Sequence, residues 1–353
     1  MIKLSTRATL QLLPAPASVA QTRNPALDLM TASSPAPQPS LAPAPVADAT
    51  PGNWVDRRAP AFARPYLRLA RADRLIGAWL LLFPCWWAVS LAGVADRRPY
   101  PNLWFLLLFM TGAFLMRGSG CAYNDYVDRD LDGKVARTAS RPIPSGQVTP
   151  RQALIFAVAL ACIAFLILIQ FNQFTILLGI GSLAIVAIYP FMKRFTYWPQ
   201  VVLGLAFNWG ALVGWSAVKG SVGWPAGLLY LGCVCWTIGY DTIYAHQDKN
   251  DDRALGVKST ALRFGEHTQN WIGGFYGAAV VLWLWAGFLA GTHLIFFTAV
   301  VLVSLQLSWQ VSTLDTEDPQ NCLRRFRSNR DVGIAMFLGL VTDMGLSWFA
   351  GLN

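Results

Sequence analysis

The sequence predicts an all-α integral membrane protein: nine transmembrane helices around a central cavity, N-terminus inside and C-terminus outside. Three observations carry that prediction. Of 353 residues, 54% are hydrophobic and only 13% charged, with a mean hydropathy of +0.40, whereas an average soluble domain carries about 25% charge. Apolar runs of about 20 residues, long enough for a helix to cross a hydrocarbon core about 30 Å thick, recur along the chain. The basic residues between those runs alternate from one side to the other.

Residues 1–53 stand apart. Pro, Ala, Ser and Thr dominate, as in SSPAPQPSLAPAPVADATPG, and such a tract has no core to bury, so it is predicted to be a disordered extension. Its first 27 residues hold Lys3, Arg7 and Arg23 and no acid, a composition compatible with an organellar transit peptide. The tract lacks a clear amphipathic Arg-rich helix, which points to a bacterial inner (cytoplasmic) membrane, with the mitochondrial inner membrane as the alternative.

The membrane domain is predicted over 62–350. Six arginines (57, 58, 64, 68, 71 and 74) precede a first span at about 75–94. A second at about 103–122 runs into a loop holding Arg129, Lys134, Arg137, Arg141 and Arg151. Spans at about 152–171 and 175–192 are joined by Asn172-Gln173-Phe174, a link short enough to force an antiparallel hairpin. Lys193 and Arg194 then lead to spans at about 199–218 and 224–244, and Lys249, Arg253, Lys258 and Arg263 follow the latter. Spans at about 270–290 and 293–312 meet at Gly291-Thr292. Arg324, Arg325, Arg327 and Arg330 precede the last, at about 332–350. The alternate loops contribute only Arg97, Arg98 and Lys219. By the positive-inside rule the rich loops lie inside, and nine spans carry the C-terminus outside. The net charge of +9 is accounted for by this orientation, and nucleic acid is not expected as a partner. The six cysteines fall mostly within spans, and Cys233 and Cys235 are spaced CVC rather than CxxC, so small buried hydrophobes are expected and not a metal or redox motif.

Two acidic clusters fall on the inside face. Asn124, Asp128 and Asp132 are spaced i, i+4, i+8 and form one stripe if the second span continues as helix. Asp248 and Asp252 repeat the i, i+4 spacing after the sixth span, and Asp241 lies about two turns before them. Bringing such stripes together is costly unless a cation sits between them. Mg²⁺ suits that place, since it is typically held by one or two carboxylates together with substrate phosphates and waters. A single acidic run would be read as a solvated loop; two runs with matched spacing, each attached to a span, argue against that. DRDLDG at 128–133 begins like a calcium loop, but the twelfth position is Ala139 where a bidentate Glu is required. An ion pathway through a divalent-cation transporter stays open at this point. Arg137, Arg141, Lys193, Arg194, Lys258 and Arg263 tilt the balance, because a metal–diphosphate site needs cations beside its carboxylates and a cation pathway does not.

The stretches GCAYNDYVDRDLDGKVARTASRPIPSG and YDTIYAHQDKNDDRALGVKSTALRFG resemble the two signatures of the UbiA superfamily of intramembrane aromatic prenyltransferases. NxxxDxxxD is matched by Asn124, Asp128 and Asp132, and DxxxD by Asp248 and Asp252. RLARADRLIGAWLLLFPCWW and YPFMKRFTYWPQVVLG are similar to the 4-hydroxybenzoate polyprenyltransferase branch, with Leu75 standing where many of its members have Pro. The resemblance covers roughly residues 62–350. It implies transfer of a polyprenyl group from its diphosphate to 4-hydroxybenzoate, ortho to the hydroxyl, in ubiquinone biosynthesis. Other aromatic acceptors, homogentisate or a naphthoate, are the alternatives within the family. It also implies the cofactor Mg²⁺, held by Asn124, Asp128 and Asp132 and by Asp248 and Asp252, the four aspartates being the catalytic groups. Lys193, Arg194 and Lys258 would contact diphosphate. Arg137, then Arg141, would take the aromatic carboxylate, and Tyr240 and Asp241 would position the phenol or shield the cation. His246 is expected to be a bystander.

Overall fold

In a computed structural model of the chain, residue 49 and residues 52–351 are described. Nearly all of the extension predicted to be disordered lies outside the described residues. The described chain is helical throughout, and nine of its helical segments are long and apolar enough to cross a membrane.

Two short helices precede the first span. α1 (Trp54–Arg58) is capped by the Asn53 side chain, and α2 (Arg64–Leu69) follows it. They are pinned by Trp54 Nε1 donating to the Ala72 carbonyl at 2.7 Å and by the Arg68–Asp56 ion pair at 2.8 Å. Structure thus begins before residue 62, in a segment too short and polar for a periodicity argument to find. The spans α3 (Ile76–Ala95) and α4 (Leu103–Asp132) come next, the latter extending ten residues beyond the predicted end at 122. α5 (Pro150–Leu168) opens with a capping box between Thr149 and Gln152, and α6 (Gln173–Ile188) is capped by Asn172. α7 (Met192–Phe195) is a single turn carrying Lys193 and Arg194.

The fifth span is broken into α8 (Pro199–Phe207) and α9 (Gly210–Lys219). The Asn208 amide explains the break, donating to the Gly204 carbonyl at 2.8 Å and to Thr237 Oγ1 at 2.7 Å, across to the neighbouring span. α10 (Trp224–Ala245) is followed by a 3₁₀ turn at His246–Asp248 and then α11 (Lys249–Leu255). α12 (Thr260–Phe264) leads into α13 (Thr268–Ala290), then α14 (Leu294–Ser312) and α15 (Pro319–Phe349). α15 starts thirteen residues before the predicted 332, capped by Asp318.

Aromatic packing holds the centre. Trp87 of α3, Trp236 of α10 and Trp283 of α13 are fully buried, with ring centroids 5.3, 5.4 and 5.9 Å apart. Small residues let the helices close on one another, as is usual between membrane helices. A Cβ on Gly214 of α9 would stand 2.6 Å from the Cys85 carbonyl oxygen of α3, and one on Gly333 of α15 would overlap the Phe83 ring. In contrast, α6 buries only Thr175, so the α5–α6 hairpin forms a thin wall on one side of the bundle. Cys85, Cys121, Cys233 and Cys322 are buried free thiols, as expected, while Cys162 is exposed.

Candidate functional site

The extension of α4 past the apolar run places Asn124, Asp128 and Asp132 on one helical stripe, as the spacing requires. Asp128 and Asp132 are buried. Asn124 Nδ2 donates to Asp128 Oδ2 at 3.1 Å, and the Lys193 ammonium reaches the same oxygen at 2.6 Å. Arg194 stands 3.6 Å from the other oxygen and donates to the Val127 carbonyl at 3.0 Å. One turn on, Asp132 accepts from Arg141 at 2.8 Å.

The second cluster is arranged differently from the sequence expectation. Asp248 and Asp252 do not share an unbroken α-helix with Asp241, because the 3₁₀ turn intervenes. At this turn the Gln247 amide donates to the Tyr244 carbonyl at 3.1 Å, claiming an acceptor at the helix end. Asp248 receives both Arg137 Nε, at 2.7 Å, and Arg137 Nη2. Arg137 also donates to the Tyr244 hydroxyl at 3.2 Å. Burial works against its charge, but the Tyr244 oxygen and Asp248 outweigh it and hold its pKa above the ordinary value. Asp252 is half-buried and close enough to Lys193 and Arg137 to feel both charges.

The two acid stripes are therefore joined by the protein's own cations. Arg137, from the loop after α4, crosses to Asp248, and α7 carries Lys193 to Asp128. The Lys193 carbonyl in turn accepts from the Lys258 backbone N–H at 2.9 Å. The Lys258 ammonium itself points away from the acids, donating to the Phe195 carbonyl at 3.1 Å over the Tyr197 ring. Among the described residues, no three His, Cys, Asp or Glu side chains converge as a metal cage. Hard oxygen donors are nevertheless present in the kind Mg²⁺ takes, and the buried Asp128 Oδ1 accepts no hydrogen bond.

Beside these clusters lies a cavity of about 470 Å³. Its polar end is lined by Asn124 and Asp125 with Arg71, Arg74, Arg141 and Arg327, and Tyr240, Asp241 and Tyr244 of α10 also border it. Its long arm is apolar, running between α4, the α5–α6 hairpin and the broken fifth span. Of the residues expected to take the aromatic substrate, Arg141, Tyr240 and Asp241 line this cavity. Arg137 is not among the lining residues.

Three further residues at the cavity do not stand out in the sequence patterns. Asp125, fully buried, points off the metal-type stripe and binds Arg71 at 2.6 Å and Arg141 at 3.4 Å, so it aims two guanidiniums at the polar end. Arg71 sits in the left-handed backbone region, φ 58°, a costly state for a residue with a Cβ and one that recurs at functional sites. Arg117 lies in the apolar half of α4, about two turns from Asn124, lines the cavity, and has a buried Nε with no hydrogen-bond partner. A lone Arg within an apolar run was the available signal, since intramembrane charge is expensive and rarely idle. His246 is buried against Thr268 Oγ1 at 3.1 Å, away from the acids.

Comparison with known proteins bears on the same residues. The model of the UbiA prenyltransferase family matches residues 81–341, which include both clusters. A mitochondrial 4-hydroxybenzoate polyprenyltransferase of Aedes aegypti is 50% identical over 278 residues, covering 78% of this chain and 63% of that protein, so the match spans under two thirds of the relative's length. The human protein of the same name is 48% identical over 291 residues, covering 82% and 77%. Among solved structures, the apo UbiA homolog of Aeropyrum pernix K1 superposes with a TM-score of 0.63 at 27% identity, covering 75% of this chain and 98% of that one. A UbiA homolog from Archaeoglobus fulgidus bound to GPP and Mg²⁺ shares the fold, with a TM-score of 0.58 at 19% identity over 79% of this chain and 99% of that one. With the helical stripe, the interleaved cations and the apolar arm in place, the chain belongs to the UbiA prenyltransferase family.

Proposed function

We infer that the chain transfers a polyprenyl group from a polyprenyl diphosphate to the ring of 4-hydroxybenzoate, ortho to its hydroxyl, releasing diphosphate in ubiquinone biosynthesis. The observation that carries the reading is one cavity with two chemistries: a cation-rich end beside two acid clusters, and a long apolar arm. The names of relatives about 50% identical support the same substrates. The cation-transporter alternative loses its footing, because the carboxylates are bound to fixed guanidinium and ammonium groups and the cavity continues into apolar walls.

The residues divide the work. Lys193, Arg194, Arg71 and Arg141 supply positive charge where the diphosphate leaves, which lowers the barrier to breaking the allylic C–O bond. Asn124, Asp128, Asp132, Asp248 and Asp252 are the oxygen donors for Mg²⁺, which when bound neutralises diphosphate charge. A UbiA homolog bound to GPP and Mg²⁺ supports the use of a divalent metal. The apolar walls keep water from the allylic cation. For the aromatic carboxylate, Arg117 replaces Arg137 and Arg141 as the candidate. Arg137 is closed on Asp248 and Tyr244, and Arg141 on Asp132 and Asp125, whereas Arg117 lines the cavity without an ion pair to an acid among the described residues. Asp241 and Tyr240, on the α10 side, are the groups for the phenol. Lys258 contributes by fixing α7 through its backbone.

The chain is a multi-pass membrane protein, with the acid clusters at the end we place inside by its positive charges. The relatives' mitochondrial names support the mitochondrial alternative over the bacterial membrane.

The test is the full chain in lipid nanodiscs with a polyprenyl diphosphate, Mg²⁺ and 4-hydroxybenzoate, with homogentisate and a naphthoate as competing acceptors. Prenylated 4-hydroxybenzoate is expected. Preference for another acceptor corrects the substrate, and no product from folded protein overturns the reading.

A further inference from the structure

The apolar arm ends at a built floor. Phe171, in the link between α5 and α6, packs on Phe109 of α4 with centroids 4.9 Å apart and nearly parallel rings. Phe105, one turn further along α4, meets Phe171 edge-on at 5.2 Å. Phe109 and Phe171 line the cavity, and Phe105 lies beyond it. The next residue locks this arrangement. Asn172 Nδ2 donates to the Ser216 carbonyl of α9 at 2.8 Å, its Oδ1 accepts from the Thr175 backbone N–H at 3.0 Å, and the Thr175 hydroxyl donates to Ser216 Oγ at 2.9 Å. Trp209 Nε1, at the break just before α9, donates to the Leu178 carbonyl of α6 at 2.9 Å, a second tie to α6.

Above the floor the wall is different. Phe165, Ile180 and Leu183 line the cavity yet are 44%, 42% and 47% exposed. No side-chain hydrogen bond joins α5 to α6 there among the described residues. The end of the arm is clamped and its side is not.

We propose that Phe171, backed by Phe109 and held by the Asn172–Ser216 clamp, is a length gauge for the prenyl tail: tails that stop above it lie wholly inside, and longer ones must turn out between α5 and α6. The proposal rests on the donor reading above. Asn124 and Phe109 are fifteen residues apart on α4, roughly 22 Å at the helical rise. A polypeptide gains at most about 3.5 Å per three chain bonds. An isoprene unit has four, hence about 4.7 Å, and the arm therefore holds about five units.

The experiment measures kcat/KM of the full chain in nanodiscs with donors of two to nine isoprene units, for wild type and Phe171→Ala. In wild type, kcat/KM is expected to climb with each unit and to break near the fifth. In the variant the break moves outward, and the ratio of kcat/KM for the six-unit donor to that for the three-unit donor rises by about fourfold, the effect of burying one further methylene. The ratio is taken within one preparation, so a partly unfolded sample does not alter it. Phe171→Leu decides the matter where Phe171→Ala does not fold. An unchanged break and ratio overturn the gauge, whereas no turnover of any donor by wild type overturns the functional reading itself.

Discussion

The two acid clusters have the same residue spacing and opposite mechanical settings. The first lies on thirty residues of uninterrupted α4. Asp128 is 1% exposed and is gripped by Asn124 and Lys193, with Arg194 nearby. The second lies across a 3₁₀ break, half-buried, with Asp248 held by Arg137 from another part of the chain and Asp252 left at the edge. A rigid half and an adjustable half fit the proposed transfer, in which diphosphate is held in place and then released. Matched spacing in sequence therefore does not mean matched roles.

This contrast predicts unequal consequences. Asp128→Asn removes the charge that organises Lys193 and Arg194 in a buried setting, and is expected to lower kcat by about 10³, near the upper effect of one preorganised electrostatic group. Membrane insertion and melting temperature should stay close to wild type, because the isosteric amide still fills the space. Asp248→Asn is expected to cost less, about 10², because the side chain is 20% exposed and sits on a break that can readjust. Much of its effect should appear in the KM for the donor, since Arg137 loses its anchor. Steady-state kinetics of both variants checks the order. Equal losses in kcat would break the distinction between a rigid and an adjustable half.

The sequence made much of this visible, for physical reasons that also explain its failures. Apolar length reports spans directly, and charge alternation reports which loops share a face. A hydropathy window, however, stops where charge begins, whereas helical backbone need not. Hence α4 outran its predicted end, and α15 began thirteen residues early through a stretch dense in arginine. There the buried Cys322, Phe326 and Asn329 keep an i, i+4, i+7 face that a periodicity count could have found. Asp125 falls outside the i, i+4, i+8 pattern because it sits about 100° from the Asn124 stripe; that rotation turns it toward Arg71. The partner of Arg137 is not legible in the sequence, because Asp248 lies 111 positions away and only the packing of separate parts of the chain brings the two together.

Lys258 gives the smallest effect and the finest test. By sequence it sits beside the second cluster as a diphosphate ligand in waiting, yet its ammonium is occupied with the Phe195 carbonyl and the Tyr197 face. What it gives the site is its backbone N–H, which holds the Lys193 carbonyl. Lys258→Ala keeps that hydrogen bond and removes an exposed hydrogen bond and the contact with the Tyr197 face, each worth about 0.5–1 kcal/mol at an exposed site. The donor KM should accordingly change less than about threefold, with kcat unaffected. Lys258→Pro deletes the N–H, loosens α7, and is expected to cut kcat by about tenfold through Lys193. Should the alanine variant prove as damaging as the proline one, the side chain reaches the diphosphate after all. The adjustable half would then close on substrate by a larger movement than its present contacts indicate.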